Sequence, residues 1–249
     1  MGKMPMSKTI VITGAGTGLG RAFARRLARD GHQLVLLGRR LEKVEAAARE
    51  VGGGAWAHAC DVTDADSVDA AFAEIGRRGP RIDILINNAG VYVPHFLCEV
   101  TKEQVASMID TNLAGPVLCS RAALPLMGKG SHIINVGSKT AVLPAAMLGL
   151  YQASKAGLER YTRTLKDELA DEGIRVTLFR AGPMMGEDME WNLSPELAQR
   201  FAEERRRLGI DRGENAVSSF ASVAELLPWL IDLPGDVTVP ELVVDSRHP

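Results

Sequence analysis

The chain has 249 residues, a formal net charge of −2, and 46% apolar against 24% charged residues. This length and balance predict a single soluble α/β domain over residues 1–249 that can bury a sizeable core. The near-neutral charge excludes a general electrostatic attraction to nucleic acid or to an anionic membrane, so we expect neither as a partner.

The three cysteines, Cys60, Cys98 and Cys119, are isolated along the chain. Their odd number and the lack of CxxC spacing argue against a disulfide framework and against structural zinc, so we expect buried free thiols and no metal. The N-terminus leads into an apolar run without a signal-peptide pattern, and the weakly polar run 141–151 is broken by Pro144 and too short to span a bilayer. We therefore expect a cytoplasmic protein.

Short β-branched runs alternate with longer amphipathic patterns along the chain. The runs that predict strands are 9–13, 33–37, 55–60, 82–86, 131–136, 175–179 and 242–244. The helical patterns include 18–30, 41–51, a helix opened by DVTD with Thr63 as N-cap, a long helix that begins with a capping box at 101–104, and a helix that contains Tyr151. Apolar strands separated by helices predict a seven-stranded parallel sheet with helices on both faces, doubly wound in the Rossmann manner.

The segment 184–215 differs from the rest of the chain. It mixes methionine, tryptophan and charged residues, and it shows no strand pattern. Because it comes after the sixth predicted strand, and ligands bind beyond the carboxyl ends of strands in such sheets, we expect a substrate loop. The charged run 204–207 contains acid as well as base and is expected to form a solvated helix face.

A glycine-rich loop, TGAGTGLG at 13–20, joins the first strand to the first helix. Glycine lets the backbone turn tightly and approach a pyrophosphate, and the helix N-terminus offers unpaired N–H groups to that anion. The alternative is a turn that is merely rich in glycine. We expect a dinucleotide site with contacts from Gly14, Thr17, Gly18, Leu19 and Gly20.

The second predicted strand ends in Leu37-Gly38-Arg39-Arg40, with no acid before Glu42. A protein that binds NAD is expected to place a carboxylate here for the ribose 2′-hydroxyl. Two arginines at a helix start oppose the helix dipole, and a bound 2′-phosphate would turn that cost into bidentate contacts. The pattern favours NADP(H) with Arg39 as a ligand, and two solvated arginines are the alternative.

Tyr151 and Lys155 are four residues apart, so both lie on one face of a predicted helix. Ser138 comes just after the fifth strand, and Asn112 lies in the long helix before it. An ammonium about 4 Å from a phenol, at an effective dielectric of about 20, contributes about 4 kcal/mol, which is sufficient to lower the tyrosine pKa to about 7. The pair is a candidate acid–base catalyst, with a helix-surface pair of no consequence as the alternative.

Taken together, these motifs resemble the short-chain dehydrogenase/reductase family. The matching elements, in order within residues 1–180, are TGAGTGLG at 13–20, DV at 61–62, NNAG at 87–90, Asn112 in TNLAGP, Ser138, and YQASK at 151–155. The resemblance implies that Tyr151 acts as general acid or base beside Lys155, that Ser138 hydrogen-bonds the substrate oxygen, and that Asn112 holds a water connecting Lys155 to solvent. It also implies a homodimer or homotetramer.

The resemblance assigns further cofactor contacts beyond the glycine loop and Arg39. These are Asp61, Val62, Asn88, Ala89, Gly90, Tyr151, Lys155, Gly182 and Met184. For Asp61 the alternative is a helix-start carboxylate. The chain departs from the family where Ala181 replaces a proline, Gly186 replaces a threonine that contacts the cofactor, and the C-terminus lacks the common Asp-Gly-Gly, which weakens an assignment to the acyl-carrier-protein reductases.

The candidate substrate wall is rich in aromatic residues and methionine, which favours a moderately bulky apolar carbonyl compound. Its members are Tyr92, His95, Phe96, Thr140, Val142, Met147, Met184, Met185, Met189 and Trp191. Several of these have core or interface packing as an alternative, and His95 is expected to be a loop residue rather than a second acid–base group.

The sequence therefore predicts an NADP(H)-dependent oxidoreductase that transfers a hydride between the cofactor and a carbonyl or secondary alcohol substrate. One alternative is an epimerase or dehydratase relative, for which the residues after Gly182 leave little room for a substrate domain. Another is a non-catalytic dinucleotide sensor, against which the presence of all four residues Asn112, Ser138, Tyr151 and Lys155 argues.

Overall fold

The computed structural model describes residues 7–79, 81–143, 145–189, 193–209 and 217–246. Seven parallel strands form the main sheet. From one edge to the other they are β3 (Trp56–Ala59), β2 (Gln33–Gly38), β1 (Thr9–Thr13), β4 (Ile84–Asn87), β5 (His132–Ser138), β6 (Arg175–Ala181) and β9 (Glu241–Val244). The chain changes lateral direction between β1 and β4, at the centre of the sheet.

Helices cover both faces of the sheet. On one face lie α1 (Gly18–Ala28), α2 (Leu41–Val51), α8 (Phe220–Ala224) and α9 (Leu226–Ile231). On the other lie α3 (Ala65–Arg77), α5 (Gly115–Ala123) and α6 (Gly149–Glu168). The remaining helices are α4 (Lys102–Ile109) and α7 (Pro195–Arg207). The predicted doubly wound sheet is confirmed.

Residues of β1 show why the strands are apolar throughout. Ile10 and Ile12 pack into the core beneath α1, whereas Val11 packs into the core beneath α3, and all three are fully buried. Successive side chains of a strand point to opposite faces, so a strand covered on both faces needs an apolar residue at every position.

Three expectations about local structure need correction. Thr63 does not cap α3: its N–H and hydroxyl donate to the Asp61 carboxylate, and the Asp64 side chain accepts from Asp66 N–H instead. The capping box at Thr101 is confirmed, but the long helix passes through a π-helical turn, Asp110–Ala114, between α4 and α5. The segment 184–215 does contain a strand, because β7 (Met184–Met185) pairs with β8 (Ser218–Ser219).

Cys60 and Cys119 are buried free thiols as expected, whereas Cys98 is exposed. Within the described ranges, no helix has both the length and the apolar character that crossing a bilayer requires. In the same part of the chain, no cluster of three or more His, Cys, Asp or Glu side chains could hold a metal ion.

Candidate active site

A cleft of about 1020 Å³ opens at the carboxyl ends of β1, β4, β5 and β6, where the chain changes direction in the sheet. This is the place where doubly wound sheets bind ligands. The cleft lining contains most of the predicted site residues: Gly14, Thr17, Gly18, Leu19, Arg39, Asp61, Val62, Asn88, Ala89, Gly90, Ser138, Tyr151, Lys155, Gly182 and Met184. Gly20 and Asn112 lie behind this lining.

The glycine loop is packed closely against the loop after β4. A Cβ on Gly14 would lie 2.8 Å from Ala89 Cα, and one on Gly20 would lie 2.4 Å from Gly14 O. Gly14 and Gly18 also have φ of 64° and 52°, in the left-handed region that favours glycine. Thr17 precedes α1 without a side-chain cap, and the first turn carries no acid. The helix start can therefore receive a phosphate, as the residues of a dinucleotide site require.

Asp188 ties the segment after β7 to this loop. Its carbonyl accepts from Gly18 N–H at 3.2 Å, and its carboxylate pairs with Arg21 and Arg25, at 3.4 and 2.8 Å. Both arginines also pair with Glu50 of α2. The segment after β7 is thus joined directly to the start of α1.

Cationic side chains gather where β2 leads into α2. Arg39 and Arg40 are exposed, Lys43 in the first turn of α2 is half-buried, and all three line the cleft. Sequence reasoning missed Lys43, although its position three residues after Arg40 was an available signal. Asp61 lies in the same lining, with its carboxylate engaged by Thr63.

Asn87, the last residue of β4, and Asn88, which follows it, connect neighbouring strands. Asn87 Nδ2 donates to Asn135 Oδ1 on β5 at 2.8 Å. Asn88 Nδ2 donates to the carbonyls of Thr13 and Gly14 at 3.0 and 3.3 Å. These bonds hold the carboxyl ends of β1, β4 and β5 together, so they fix the floor of the cleft.

Tyr151, Ser138 and Lys155 come together as the sequence predicted. Ser138 is the last residue of β5, rather than just beyond it. Its Oγ is 2.8 Å from Thr140 Oγ1, and its side chain is near enough to the Tyr151 hydroxyl for a hydrogen bond that lowers the phenol pKa. Lys155 is one turn further along α6, where it is buried and donates to Val136 O at 2.8 Å. A strand end and a helix start therefore converge on one phenol.

The pKa values of this pair differ from expectation. Burial lowers the pKa of Lys155 to about 8. Burial raises the pKa of the Tyr151 phenol, and the hydrogen bond from Ser138 opposes that rise only in part. The prediction that Lys155 brings the phenol pKa down is wrong in this structure, because the simple charge arithmetic omitted the cost of removing both groups from water.

Asn112 lies in the π-helical turn and joins the loop after β4 to α6. Its Nδ2 donates to Val91 O at 3.0 Å and to Ser154 Oγ at 3.1 Å, and its Oδ1 accepts from Val91 N–H at 2.8 Å. A Cβ on Gly90 would lie 3.2 Å from Asn112 Oδ1 and 3.6 Å from Lys155 Nζ. The amide is thus close to the ammonium, and its contacts with protein groups position the loop.

The substrate end of the cleft differs in part from the predicted wall. Tyr92, Thr140, Met184, Met185 and Met189 line the cleft. Of the described residues predicted there, four do not line it: His95, Phe96, Val142 and Met147. Trp191 lies outside the described residues.

Local contacts account for these four. Met147 is buried beneath Leu148 and Phe201, and its carbonyl accepts from the N–H of His95. Phe96 lies 4.8 Å from the guanidinium of Arg200, and Val142 is directed to solvent.

Sequence reasoning missed two lining residues on α7. Phe201 and Arg205 belong to the cleft wall, although they are about 50 residues beyond Tyr151 in the sequence. The alternation of charged and apolar residues in 195–207 is typical of a helix, but nothing in it indicates which face meets the cleft. The predicted solvated face holds for Arg206 and Arg207, which are exposed, and is wrong for Arg205, which is half-buried.

One of the two departures at and after the end of β6 has a packing explanation. A Cβ on Gly186 would lie 2.6 Å from the Phe220 ring, so the threonine of the family pattern does not fit here. Ala181 ends β6 in register with Ser138 on one side and Val244 on the other. Gly182 comes next in the cleft lining, where a Cβ would lie 2.7 Å from Val244 O.

Comparison with known proteins agrees with this geometry. The model of a family described as short chain dehydrogenase matches residues 8–198. A 3-oxoacyl-[acyl-carrier-protein] reductase of Bos taurus is 34% identical over 243 residues, which cover 97% of this chain and 98% of the relative. A sulfoacetaldehyde reductase of Chromohalobacter salexigens is 40% identical over 183 residues, which cover 71% of this chain and 72% of the relative.

Solved structures give the same result. An alcohol dehydrogenase of Thermococcus sibiricus, complexed with 5-hydroxy-NADP, is similar with a TM-score of 0.79 and 27% identity, over 98% of this chain and 99% of that one. Because the family match extends over most of the chain and includes both the glycine loop and the helix of Tyr151, this protein belongs to the short-chain dehydrogenase/reductase family of oxidoreductases.

Proposed function

We propose that the protein interconverts a small carbonyl compound and the corresponding secondary or primary alcohol with NADP(H), and that Tyr151 is its general acid and base. One observation carries the proposal: the Tyr151 hydroxyl lies beside the Ser138 side chain, near enough for a hydrogen bond that lowers the phenol pKa, in the same cleft as the glycine loop. A proton donor therefore lies beside the place where a dinucleotide can bind.

The residues of the cleft fit a nicotinamide dinucleotide, which supplies or accepts the hydride when it is bound. The start of α1 would hold the pyrophosphate, and the glycines at 14 and 18 allow its close approach. Arg39, Arg40 and Lys43 form a cationic rim that favours a 2′-phosphate, since a guanidinium binds phosphate in bidentate fashion. This supports NADP(H) over NAD(H).

The proton chemistry follows from the surroundings of the phenol. In carbonyl reduction, Tyr151 would donate its proton to the substrate oxygen while Ser138 donates a hydrogen bond to the same oxygen. The raised pKa of Tyr151 keeps the phenol protonated near neutral pH, as an acid requires. Lys155, with a pKa of about 8, can return a proton under the same conditions, and Asn112 is proposed to hold the water that links Lys155 to solvent.

We also infer a homodimer or homotetramer. Trp229 on α9 and Val243 on the edge strand β9 are 55% and 50% exposed, which supports a covering surface at this end of the sheet. Light scattering after size exclusion measures the mass of the assembly directly. A monomer at micromolar concentration would contradict this part of the proposal.

Turnover assays test the enzymatic role. Aldehydes and ketones are supplied with NADPH or NADH, and oxidation of the nicotinamide is followed by its absorbance. Tyr151→Phe is expected to lose turnover by about 100- to 10,000-fold and to retain NADPH binding, because it lacks only the proton donor. Tyr161→Phe is the matched control on the same helix, since Tyr161 packs into the core beside α5. Full turnover by Tyr151→Phe would refute the proposed mechanism.

Cofactor preference is tested separately at the cationic rim. Arg39→Ala is expected to lower kcat/KM for NADPH by about 10- to 100-fold, with little effect on NADH, because only NADPH carries the 2′-phosphate. A wild-type protein that uses NADH more efficiently than NADPH would contradict the preference.

A further inference from the structure

Helix α7 closes the end of the cleft opposite the cationic rim. Phe201 and Arg205 are one turn apart on this helix, and both line the cleft. Phe201 is buried, and Arg205 is half-buried with its guanidinium 5.6 Å from the Phe201 ring. The stacking holds the planar guanidinium in place, so part of the entropy cost of binding a ligand is already met.

Arg205 differs from Arg200 and Arg207 of α7, which form ion pairs, and from Arg206, which is exposed. Arg200 pairs with Glu99 at 2.7 Å, and Arg207 pairs with Glu204 at 2.8 Å. No carboxylate among the described residues pairs with Arg205, although its surroundings withdraw it partly from water. A cation in that position is costly unless an anion joins it.

An aromatic wall leads from the proton donor to this cation. The rings of Tyr151 and Tyr92 are 5.0 Å apart, edge to face, and those of Tyr92 and Phe201 are 6.3 Å apart. The Arg205 charge is close enough to Tyr92 to oppose the rise in its phenol pKa that burial causes. Because the wall between Tyr151 and Arg205 is formed by rings, the middle of a bound molecule would meet mainly apolar surface.

The remaining cations of the lining are accounted for. Lys139 pairs with Asp245, and Lys155 donates to Val136 O beneath the catalytic phenol. The cationic rim contains Arg39, Arg40 and Lys43. Among the described residues of the lining, Arg205 is therefore the cation that faces the substrate end.

We propose that Arg205 binds an anionic group at the far end of the substrate, so that the protein acts on carbonyl compounds carrying a carboxylate, sulfonate or phosphate beyond an apolar segment. The inference rests on the proposed function and narrows its substrates from carbonyl compounds in general to those that carry an anionic group. Arg205 acts as a substrate-binding residue and takes no part in the proton or hydride transfer.

The test compares acids with neutral partners of the same length. The semialdehydes of succinate, adipate and suberate, and the methyl ester of each, are assayed with NADPH in wild type, Arg205→Met, Arg205→Lys and Arg206→Met. Wild type is expected to prefer the acid at one of the three lengths. Arg205→Met is expected to lower kcat/KM for that acid by about 10- to 100-fold, mainly through KM, and to leave the ester unchanged.

The other two variants separate charge from packing. Arg205→Lys retains the charge without the bidentate fork, so it should recover part of the preference. Arg206→Met removes the charge of the next residue on the same helix, which is exposed. It should leave kcat/KM unchanged for both the acid and the ester. Far-ultraviolet circular dichroism checks that each variant is folded.

Equal kcat/KM for acid and ester in wild type, or an acid preference that survives in Arg205→Met, overturns the anion site while leaving the oxidoreductase proposal intact. Absence of turnover with every compound refutes the proposed function instead. Calorimetric titration of the protein with the corresponding ω-hydroxy acids, in the presence of NADP⁺, then decides the anion site by itself. Binding that Arg205→Met abolishes supports the site, and absence of binding to wild type rejects it.

Discussion

The phenol of Tyr151 and the ammonium of Lys155 experience opposite pKa shifts from the same cause. Removal from water disfavours the charged form of each group, so the pKa of the phenol rises and that of the ammonium falls to about 8. Only the pKa of the ammonium moves towards neutral pH. Under the proposed mechanism, we therefore expect carbonyl reduction, which needs a protonated phenol, to be favoured at neutral pH over alcohol oxidation.

Ser138 carries the first prediction at this scale. Its hydrogen bond lowers the pKa of Tyr151, so Ser138→Ala should raise that pKa. Alcohol oxidation needs the deprotonated phenol, and the rising limb of its kcat/KM against pH should shift to higher pH, together with a loss of about 100-fold. Ser138→Thr, which keeps the hydroxyl, should recover the wild-type limb. If the rising limb of kcat/KM in Ser138→Ala stays at the wild-type pH, the hydrogen bond from Ser138 does not set the pKa of the phenol.

The second prediction concerns Lys155. Its pKa is about 8 in the folded protein and 10.5 in the reference state, so between these values the folded protein binds fewer protons than the unfolded one. Stability contributed by this group therefore rises with pH across that window, and the penalty is fully present below pH 8. From about pH 7.5 to about pH 9.5, the free energy of unfolding of wild type should gain about 2 kcal/mol relative to Lys155→Met.

Urea denaturation of both proteins at each pH measures this difference, and other titrating groups cancel because both proteins contain them. Curves that stay parallel across the window would mean that Lys155 has an ordinary pKa in the folded protein.

How well the sequence predicts the place of a single residue in the site depends on how far along the chain that residue is from the others. Tyr151 and Lys155 are one helical turn apart, and Ser138 ends the preceding strand, so local geometry alone brings them together. Arg205 meets the same cleft from a helix far along the chain, and its orientation depends on packing against Phe201. The pKa of Tyr151 likewise depends on burial, which the sequence does not express.

At the scale of elements, a buried ion pair fastens α6 to β6. The Arg180 guanidinium donates to both carboxylate oxygens of Glu159 at 2.8 Å, and both side chains are nearly inaccessible to water. Arg180 also pairs with Glu241 of β9. The helix that carries Tyr151 and Lys155 is therefore anchored to the strand beside β5 as well as to β5 itself.

Arg180→Met should lower the free energy of unfolding by about 3–5 kcal/mol, because it leaves the Glu159 carboxylate buried without a partner. The double variant with Glu159→Leu should recover most of that loss, since an apolar pair of similar volume needs no compensation. Arg163→Met is the control: Arg163 is exposed and 3.6 Å from Glu241, so its loss should cost less than about 1 kcal/mol. Urea denaturation measures all three, and an additive double variant would contradict coupling of the pair.

The elements were predicted well where one signal dominates. Continuous apolar runs mark the strands, and only their ends moved: β5 extends to Ser138 because Gly137 and Ser138 still pair with Arg180 and Ala181. The two-residue strand β7 was missed because a run of two has no periodicity. The π-helical turn that carries Asn112 was missed, although Pro116 was an available signal: proline has no N–H to donate to the carbonyl of Asn112, four residues earlier.

At the scale of the molecule, the two halves of the sheet share one core. The cluster beneath α1 contains Leu34 of β2 and Phe179 of β6, which come from opposite sides of the central strands. We predict a single cooperative unfolding transition, because neither half can expose this core alone. Trp56 on edge strand β3 and Trp229 on α9 report different regions.

Trp56→Phe and Trp229→Phe each retain Trp191 and one of these two reporters. Urea unfolding of both variants, followed by tryptophan fluorescence and by far-ultraviolet circular dichroism, should give one midpoint for each protein whichever probe is used. Midpoints that differ between the probes would reveal separate folding units.

Because the chain changes direction in the sheet between β1 and β4, the two ends of the cleft are formed by stretches that are far apart in the sequence. In the proposed function, the cationic rim that distinguishes the two coenzymes follows β2, whereas much of the substrate end is formed by residues that come after β6. Evolution, or an engineer, can therefore replace the stretch between β6 and β9 to change which compound is accepted, and leave untouched the half that selects the coenzyme.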